Sequence, residues 1–109
     1  MAKFITFKRW KLQDGQDESD LLALVRNEIE PHYQQLPGCL GIGLLHILGT
    51  RSYLALQHWQ CRAAWQAAIS SDDYPAWLEA YRPALERWER LMAFEDEWET
   101  EDLLGVSDE

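Results

Sequence analysis

The stretch from Leu36 to Trp65 limits the fold more than any other part of the chain. It reads as a Pro37-Gly38 turn, an apolar run from Gly41 to Leu48, the short Gly49-Thr50-Arg51 connection, and a second apolar run from Ser52 to Gln60. A helix then starts at Cys61 or Arg62. A connection that short joins antiparallel neighbours as a hairpin. The middle of the chain is therefore a β-hairpin that feeds directly into a helix.

The flanks extend this unit on both sides. Phe4 to Leu12 alternates, with Phe4, Thr6, Lys8, Trp10 and Leu12 on one face and Ile5, Phe7, Arg9 and Lys11 on the other. Apolar residues on both faces predict a strand covered on both sides. A polar loop follows, and Asp17 or Ser19 is placed to cap a helix from about Asp20 to Leu36. Leu22, Val25, Ile29, Tyr33 and Leu36 form its buried stripe, and Pro31 is expected to kink or divide it. Downstream, Ser70-Ser71-Asp72-Asp73 interrupts the second helical region, and Tyr74-Pro75 restarts it with proline in the tolerated first turn. That helix is expected to reach about Met92, bending at Pro83. Phe94 to Thr100 alternates again, with Phe94, Asp96 and Trp98 on one face.

The order is β-α-β-β-α-β, which predicts an α+β, ferredoxin-like fold: a four-stranded antiparallel sheet with helices on one face. In that topology the last strand lies beside the first. Lys8, Arg9 and Lys11 would then meet Glu95, Asp96, Glu97 and Glu99 as cross-strand pairs. We expect one domain over residues 1–104 and a flexible tail over 105–109.

A net charge of −9 argues against nucleic acid and anionic membranes as partners, since both demand a basic patch. No apolar run approaches the length of a membrane span. The N-terminus enters a strand pattern without a signal peptide, and Cys39 and Cys61 stand in no metal-ligand spacing. Free thiols, no metal site and a cytoplasmic location are the expectation. Six tryptophans in 109 residues need large surfaces to bury or a flat ligand to stack. Core filling accounts for most of them. A domain this small buries a limited share of its own surface, so part of the excess points to a second copy, hence a homodimer.

Three patterns resemble the antibiotic biosynthesis monooxygenase (ABM) domain family of the dimeric α+β barrel superfamily. They are Pro37-Gly38-x-x-Gly41, Trp59-x-Cys61-x-x-Ala64-Trp65, and Tyr74 with the apolar helix from Trp77 to Leu85. The resemblance spans about Lys3 to Thr100. It implies a homodimer whose sheets face each other, with a pocket in each subunit between sheet and helices. It also implies a monooxygenase that needs no cofactor and oxidises a small aromatic, quinol or polyketide-like substrate. Other members bind and degrade heme, and many have no assigned activity. The heme-degrading branch uses an Asn on the first strand, a Trp early in the second helix and a His further along. Trp65 matches the Trp, Lys8 stands near the Asn position, and no His lies between Cys61 and Met92. The alternatives are a dimer that binds an apolar or aromatic small molecule without catalysis, or a heme-binding protein.

Oxygenation without a cofactor needs a dry pocket, orientation, and a base or hydrogen-bonding group. His46 and His58 are the candidate bases. Each shares the parity of its strand's leucines, so both imidazoles are expected on one sheet face. A structural, hydrogen-bonded role competes for each. Trp65, Trp77, Tyr53 and Tyr81 are the candidate substrate-binding residues, offering rings to stack and phenols to hydrogen-bond. For Trp65 the competing role is a core anchor. Trp88 and Trp98 read as core or dimer residues, and His32 as solvent-facing.

Overall fold

Strands β1 (Lys3–Leu12), β2 (Cys39–His46), β3 (Ser52–Trp59) and β4 (Met92–Asp102) form one antiparallel sheet in the order β2-β3-β1-β4. The computed structural model describes residues 2–104, so the tail expected over 105–109 lies outside the described residues. Helices α1 (Glu18–Leu24), α2 (Glu30–Tyr33), α3 (Arg62–Ile69) and α4 (Tyr74–Leu91) complete the βαββαβ order of an α+β, ferredoxin-like fold. No helix among the described residues is long and apolar enough to cross a membrane.

The first helical region is divided, as Pro31 requires. A proline has no N–H, and its ring collides with the carbonyl four residues earlier. The chain adjusts by widening into a π turn at Val25–Ile29, where the Glu30 N–H reaches back to the Val25 carbonyl. Such turns are rare and concentrate at functional sites. Pro83, by contrast, sits within an unbroken α4. Asp17 occupies the N-cap position of α1, but its carboxylate makes no capping hydrogen bond. Within α1 the buried residues are Leu21 and Leu24, one step from the expected Leu22 and Val25, whereas Ile29 and Leu36 of the expected stripe are buried.

The Pro37-Gly38 turn has a steric reason. Gly38 has φ +84°, and a Cβ there would lie 2.9 Å from the Ala64 Cβ. The turn before β2 thus presses directly on α3, which explains why two of the three sequence patterns occur together. Phe4, Trp59, Leu21 and Met92 form the most deeply buried part of the core.

Register decides which side chains share a face. His46 pairs with Tyr53, Leu44 with Ala55 and Ile42 with Gln57, so even-numbered β2 residues stand with odd-numbered β3 residues. Gln57, Ala55 and Tyr53 in turn pair with Thr6, Lys8 and Trp10 on the helix-covered side. His58 pairs with Ile5 and Gly41 and points to the opposite side. The expectation that His46 and His58 share a face is therefore corrected: parity within each strand says nothing about the offset between strands.

A β-bulge corrects β4 in the same way. Arg9 pairs with Asp96 but Trp10 pairs with Phe94, which leaves Glu95 as the extra residue. Phe94 accordingly packs edge-on against Trp10 at 5.2 Å on the helix side, while Trp98 stacks on Phe7 at 5.6 Å on the other side. The expected charge pairing forms at two of its three basic residues, with Lys8–Glu97 at 3.9 Å and Arg9–Glu95 at 3.6 Å, whereas Lys11 stands opposite Ala93. These pairs are exposed, and each contributes about 0–1 kcal/mol. The helices cover only one side of the sheet. Leu45 is 52% exposed and Trp98 38% exposed on the outer side, so the expected two-sided cover of β1 is not supplied within the described chain.

Candidate functional site

A cavity of about 220 Å3 lies between the inner side of the sheet and the helices. Its floor is Thr6, Lys8 and Trp10 of β1, Ile42 and Leu44 of β2, and Ala55 and Gln57 of β3. One wall is Val25 and Ile29 of the π turn with Tyr33 of α2. The other is α4, which contributes Tyr74, Trp77, Leu78, Tyr81, Leu85 and Trp88. These α4 positions recur every three or four residues, so a single helix face forms the wall.

The aromatic wall is ordered. Tyr74, Trp77 and Tyr81 stack in series, with ring centroids at 5.5 and 5.1 Å. Tyr33 meets Trp77 and Tyr81 edge-on at 5.1 and 5.4 Å, the arrangement that ring quadrupoles favour. Behind them the Trp77 Nε1–H donates to the His32 carbonyl at 2.9 Å, and His32 Nε2 pairs with the Trp77 carbonyl at 3.0 Å. A carbonyl only accepts, so Nε2 carries the proton. This reciprocal pair locks α2 to α4. It uses the indole N–H on backbone and leaves the ring of Trp77 to the cavity. His32 packs against Trp77 and Tyr81 instead of facing solvent as expected.

The polar groups form a chain. Trp59 Nε1–H donates to Gln57 Oε1 at 3.0 Å, and Gln57 Nε2–H donates to the Tyr33 hydroxyl at 3.2 Å. Burial holds the Tyr33 hydroxyl well above the ordinary phenol range, reinforced by the neighbouring Tyr81 and Tyr74 hydroxyls. Burial likewise pushes Tyr81 up to about 12 and raises Tyr74. All three stay protonated at neutral pH.

These shifts carry a stability prediction. A phenol that binds its proton more tightly when folded contributes its full stability below its unfolded pKa of about 10 and loses it as pH rises through the folded value. Unfolding is therefore expected to steepen between pH 10 and about 12, with Tyr53 (also at about 12, from burial and then its bond to Glu18) adding to Tyr81. Tyrosinate absorbance followed alongside circular dichroism checks this. Free titration of every tyrosine near pH 10 in folded protein would contradict it.

Of the residues singled out from the sequence, Tyr81 and Trp77 line the cavity. Trp65 packs on Phe4 at 5.1 Å and is not part of the lining. Tyr53 is buried elsewhere, donating to Glu18 Oε2 at 2.6 Å. His46 stacks on Tyr53 at 4.7 Å, with Nε2 2.7 Å from the Thr50 carbonyl, and like His58 it is absent from the lining. Sequence reasoning missed Tyr33, Gln57, Tyr74 and Lys8. The α4 period contained the signal for Tyr74, and the β1 alternation placed Lys8 with Thr6 and Trp10. Among the described residues no group of three His, Cys, Asp or Glu is placed to hold a metal.

A family model described as antibiotic biosynthesis monooxygenase matches residues 4–80. The chain belongs to this family. The match runs from β1 into α4, and within the ABM domain it takes in Tyr33, Gln57, Tyr74 and Trp77 of the cavity. Solved structures agree on the fold. SnoaB, a cofactor-independent oxygenase from Streptomyces nogalater, superposes with a TM-score of 0.68 at 12% identity, covering 99% of this chain and 100% of that one. The heme-degrader MhuD from Mycobacterium tuberculosis gives 0.68 at 23% identity, covering 94% and 98%. A putative antibiotic biosynthesis monooxygenase from Chloroflexus aurantiacus gives 0.61 at 17%, covering 94% and 95%. No curated protein matches the chain.

Proposed function

We propose that this ABM domain is a cofactor-independent monooxygenase acting on an aromatic substrate of one or two rings, such as a phenol or quinol. The observation that carries the reading is the aromatic-walled cavity. An apolar cavity of about 150 Å3 accommodates benzene, so about 220 Å3 suits a two-ring system. The stacked Tyr74, Trp77 and Tyr81 present a flat surface to it.

The chemistry balances without an added reductant. An electron-rich ring passes an electron to O2, the two radicals join through a carbon–oxygen bond, and loss of water leaves a new C=O. Two hydrogens leave the substrate, one oxygen atom enters it, and the other departs as water. The substrate supplies all four electrons. The lining holds phenol hydroxyls, Thr6 and Lys8 but neither imidazole nor carboxylate. It is suited to holding a substrate that ionises readily, orienting it and excluding water.

Oxygen uptake with naphthohydroquinones and anthrones, in air and under nitrogen, tests the reading. Oxygen-dependent formation of a product carrying one added oxygen is expected, faster for two rings than three. Equal turnover under nitrogen would sink it. The missing base favours a second reading, a binding protein without catalysis, which predicts tryptophan quenching by the same compounds with no product. Heme fits poorly: no histidine lines the cavity, and its volume is too small for a porphyrin. Heme titration without a Soret shift is the expected result.

The same reading includes a homodimer through the outer side of the sheet, where Phe7, Leu45, Leu54 and Trp98 form an apolar surface. Light scattering at micromolar concentration is expected to give the dimer mass. Phe7→Glu, which puts a charge into that surface, is expected to weaken association at least about ten-fold. A monomeric mass for the unaltered protein would contradict the assembly. Both cysteines are unpaired and half-buried, which suits a reducing cytoplasm.

A further inference from the structure

Of the described residues that line the cavity, Lys8 alone carries a formal charge. The chain has 19 acidic residues against 10 Lys and Arg, yet among the described residues none of the acidic ones lines the cavity. Lys8 stands on the floor between Thr6 and Trp10 of β1, with Ala55 of β3 on one side and Glu97 of β4 on the other. Ala55 also lines the cavity, and its single methyl puts little bulk beside the lysine. On the β4 side the ammonium is 3.9 Å from Glu97 Oε2. That is an ion-pair distance but too long for a hydrogen bond. Both side chains are about half-exposed or more, a setting in which such a pair is weak. The next carboxylate on that face, Glu99, stands opposite Thr6 and is 3.6 Å from Arg62 Nη2. An ammonium has three N–H donors, and Glu97 at its distance accepts none of them.

We propose that Lys8 is the specificity-determining residue of this cavity, selecting aromatic ligands that carry an oxyanion, a carboxylate or phenolate, over neutral rings of the same shape. The proposal rests on the reading that this cavity is the ligand site. The stacked rings of Tyr74, Trp77 and Tyr81 stand on the α4 wall and Lys8 on the sheet floor. The cavity thus offers a flat apolar surface and a positive charge to two parts of one ligand. A net charge of −9 repels anions at long range, so a preference for them has to come from a local group. Binding exchanges the weak Glu97 contact for hydrogen bonds to a charged acceptor, which are roughly twice as strong as neutral ones. The selection also fits the chemistry proposed above. Neither imidazole nor carboxylate lines the cavity to take a phenol proton, and a phenolate has already lost it.

The test compares 2-naphthoate with 2-naphthamide, which match in shape and differ by a single charge. Affinities are measured by calorimetry on the whole protein at neutral pH, with unfolding midpoints as the control for structure. The unaltered protein is expected to bind the carboxylate roughly ten-fold more tightly than the amide, the lower end for a hydrogen bond to a charged group. Lys8→Met keeps most of the stem and removes the charge, and the ratio is expected to fall to about one or below. Lys8→Arg keeps the charge and is expected to retain most of the preference. Glu97→Gln removes the competing carboxylate, and the ratio is expected to rise roughly two- to five-fold. If Lys8→Met does not fold, the Glu97 variant carries the test in the opposite direction. Equal binding of the two probes by the unaltered protein, or a ratio that neither Lys8→Met nor Glu97→Gln moves, overturns the role of Lys8 and leaves the ligand site standing. If neither probe binds, the ligand site itself fails and the selection with it.

Discussion

Trp77→Ala is expected to destabilise the protein by about 3–5 kcal/mol, the range for deleting a large buried aromatic. Trp77 is 9% exposed and touches four other rings: Tyr74 and Tyr81 in the stack, Tyr33 edge-on and His32 behind. Truncation removes those contacts and joins the new void to the existing cavity, so neighbouring atoms cannot close it by small shifts. It also deprives the His32 carbonyl of its donor at 2.9 Å. Trp77→Phe separates the two contributions, because it keeps a ring in the stack and loses the N–H. Its expected cost is about 1–2 kcal/mol. Denaturant unfolding of both variants measures the difference. A loss under about 1 kcal/mol for the alanine variant would mean that α2 and α4 are held together by other contacts.

Tyr81→Phe is expected to lower kcat for an oxygenated substrate by about a hundred-fold while costing only about 1 kcal/mol of stability. The hydroxyl is lost and the ring that stacks on Trp77 remains. The large kinetic effect follows if the Tyr81 proton meets the substrate oxygen on which charge resides as the electron passes to O2. Because burial pushes this phenol up to about 12, its own ionisation leaves the rate unaffected through neutral pH. The split between kinetic constants is informative: a fall in kcat marks a bond that strengthens in the transition state, whereas a rise in KM alone marks uniform binding. Unchanged kcat and KM would remove Tyr81 from the reaction.

Much of the architecture was legible from one sequence because it depends on local signals. Alternation marked β1, the Gly49-Thr50-Arg51 connection marked the hairpin, Pro31 marked the divided helix, and Ser70–Asp73 marked the break before α4. Each reflects a steric or periodic rule acting within a few residues. The cavity was half legible. Trp77 and Tyr81 lie on the α4 face that forms its wall, and that face can be traced by counting residues. Trp65 and Tyr53 have the same chemistry but sit where Phe4 and Glu18 receive them. No local rule distinguishes an aromatic facing a cavity from one facing the core.

The histidines and β4 show where such reading stops. His46 and His58 have matching parity in their own strands, yet the β2–β3 offset puts them on opposite sides. Phe94 and Trp98 alternate in phase, yet the extra Glu95 separates them. Register is set by non-local hydrogen bonds and by which arrangement buries the most apolar surface, and a one-residue change reverses every side chain downstream. The sequence alone determined the order of elements, the family pattern, and the stripe of rings on α4, all of which follow from local sterics and periodicity. Only the tertiary structure decided which face each strand residue takes and that Trp59, Gln57 and Tyr33 form a single hydrogen-bonded chain. Those groups come from β3 and α2, and only packing the two elements together brings their polar atoms within bonding distance.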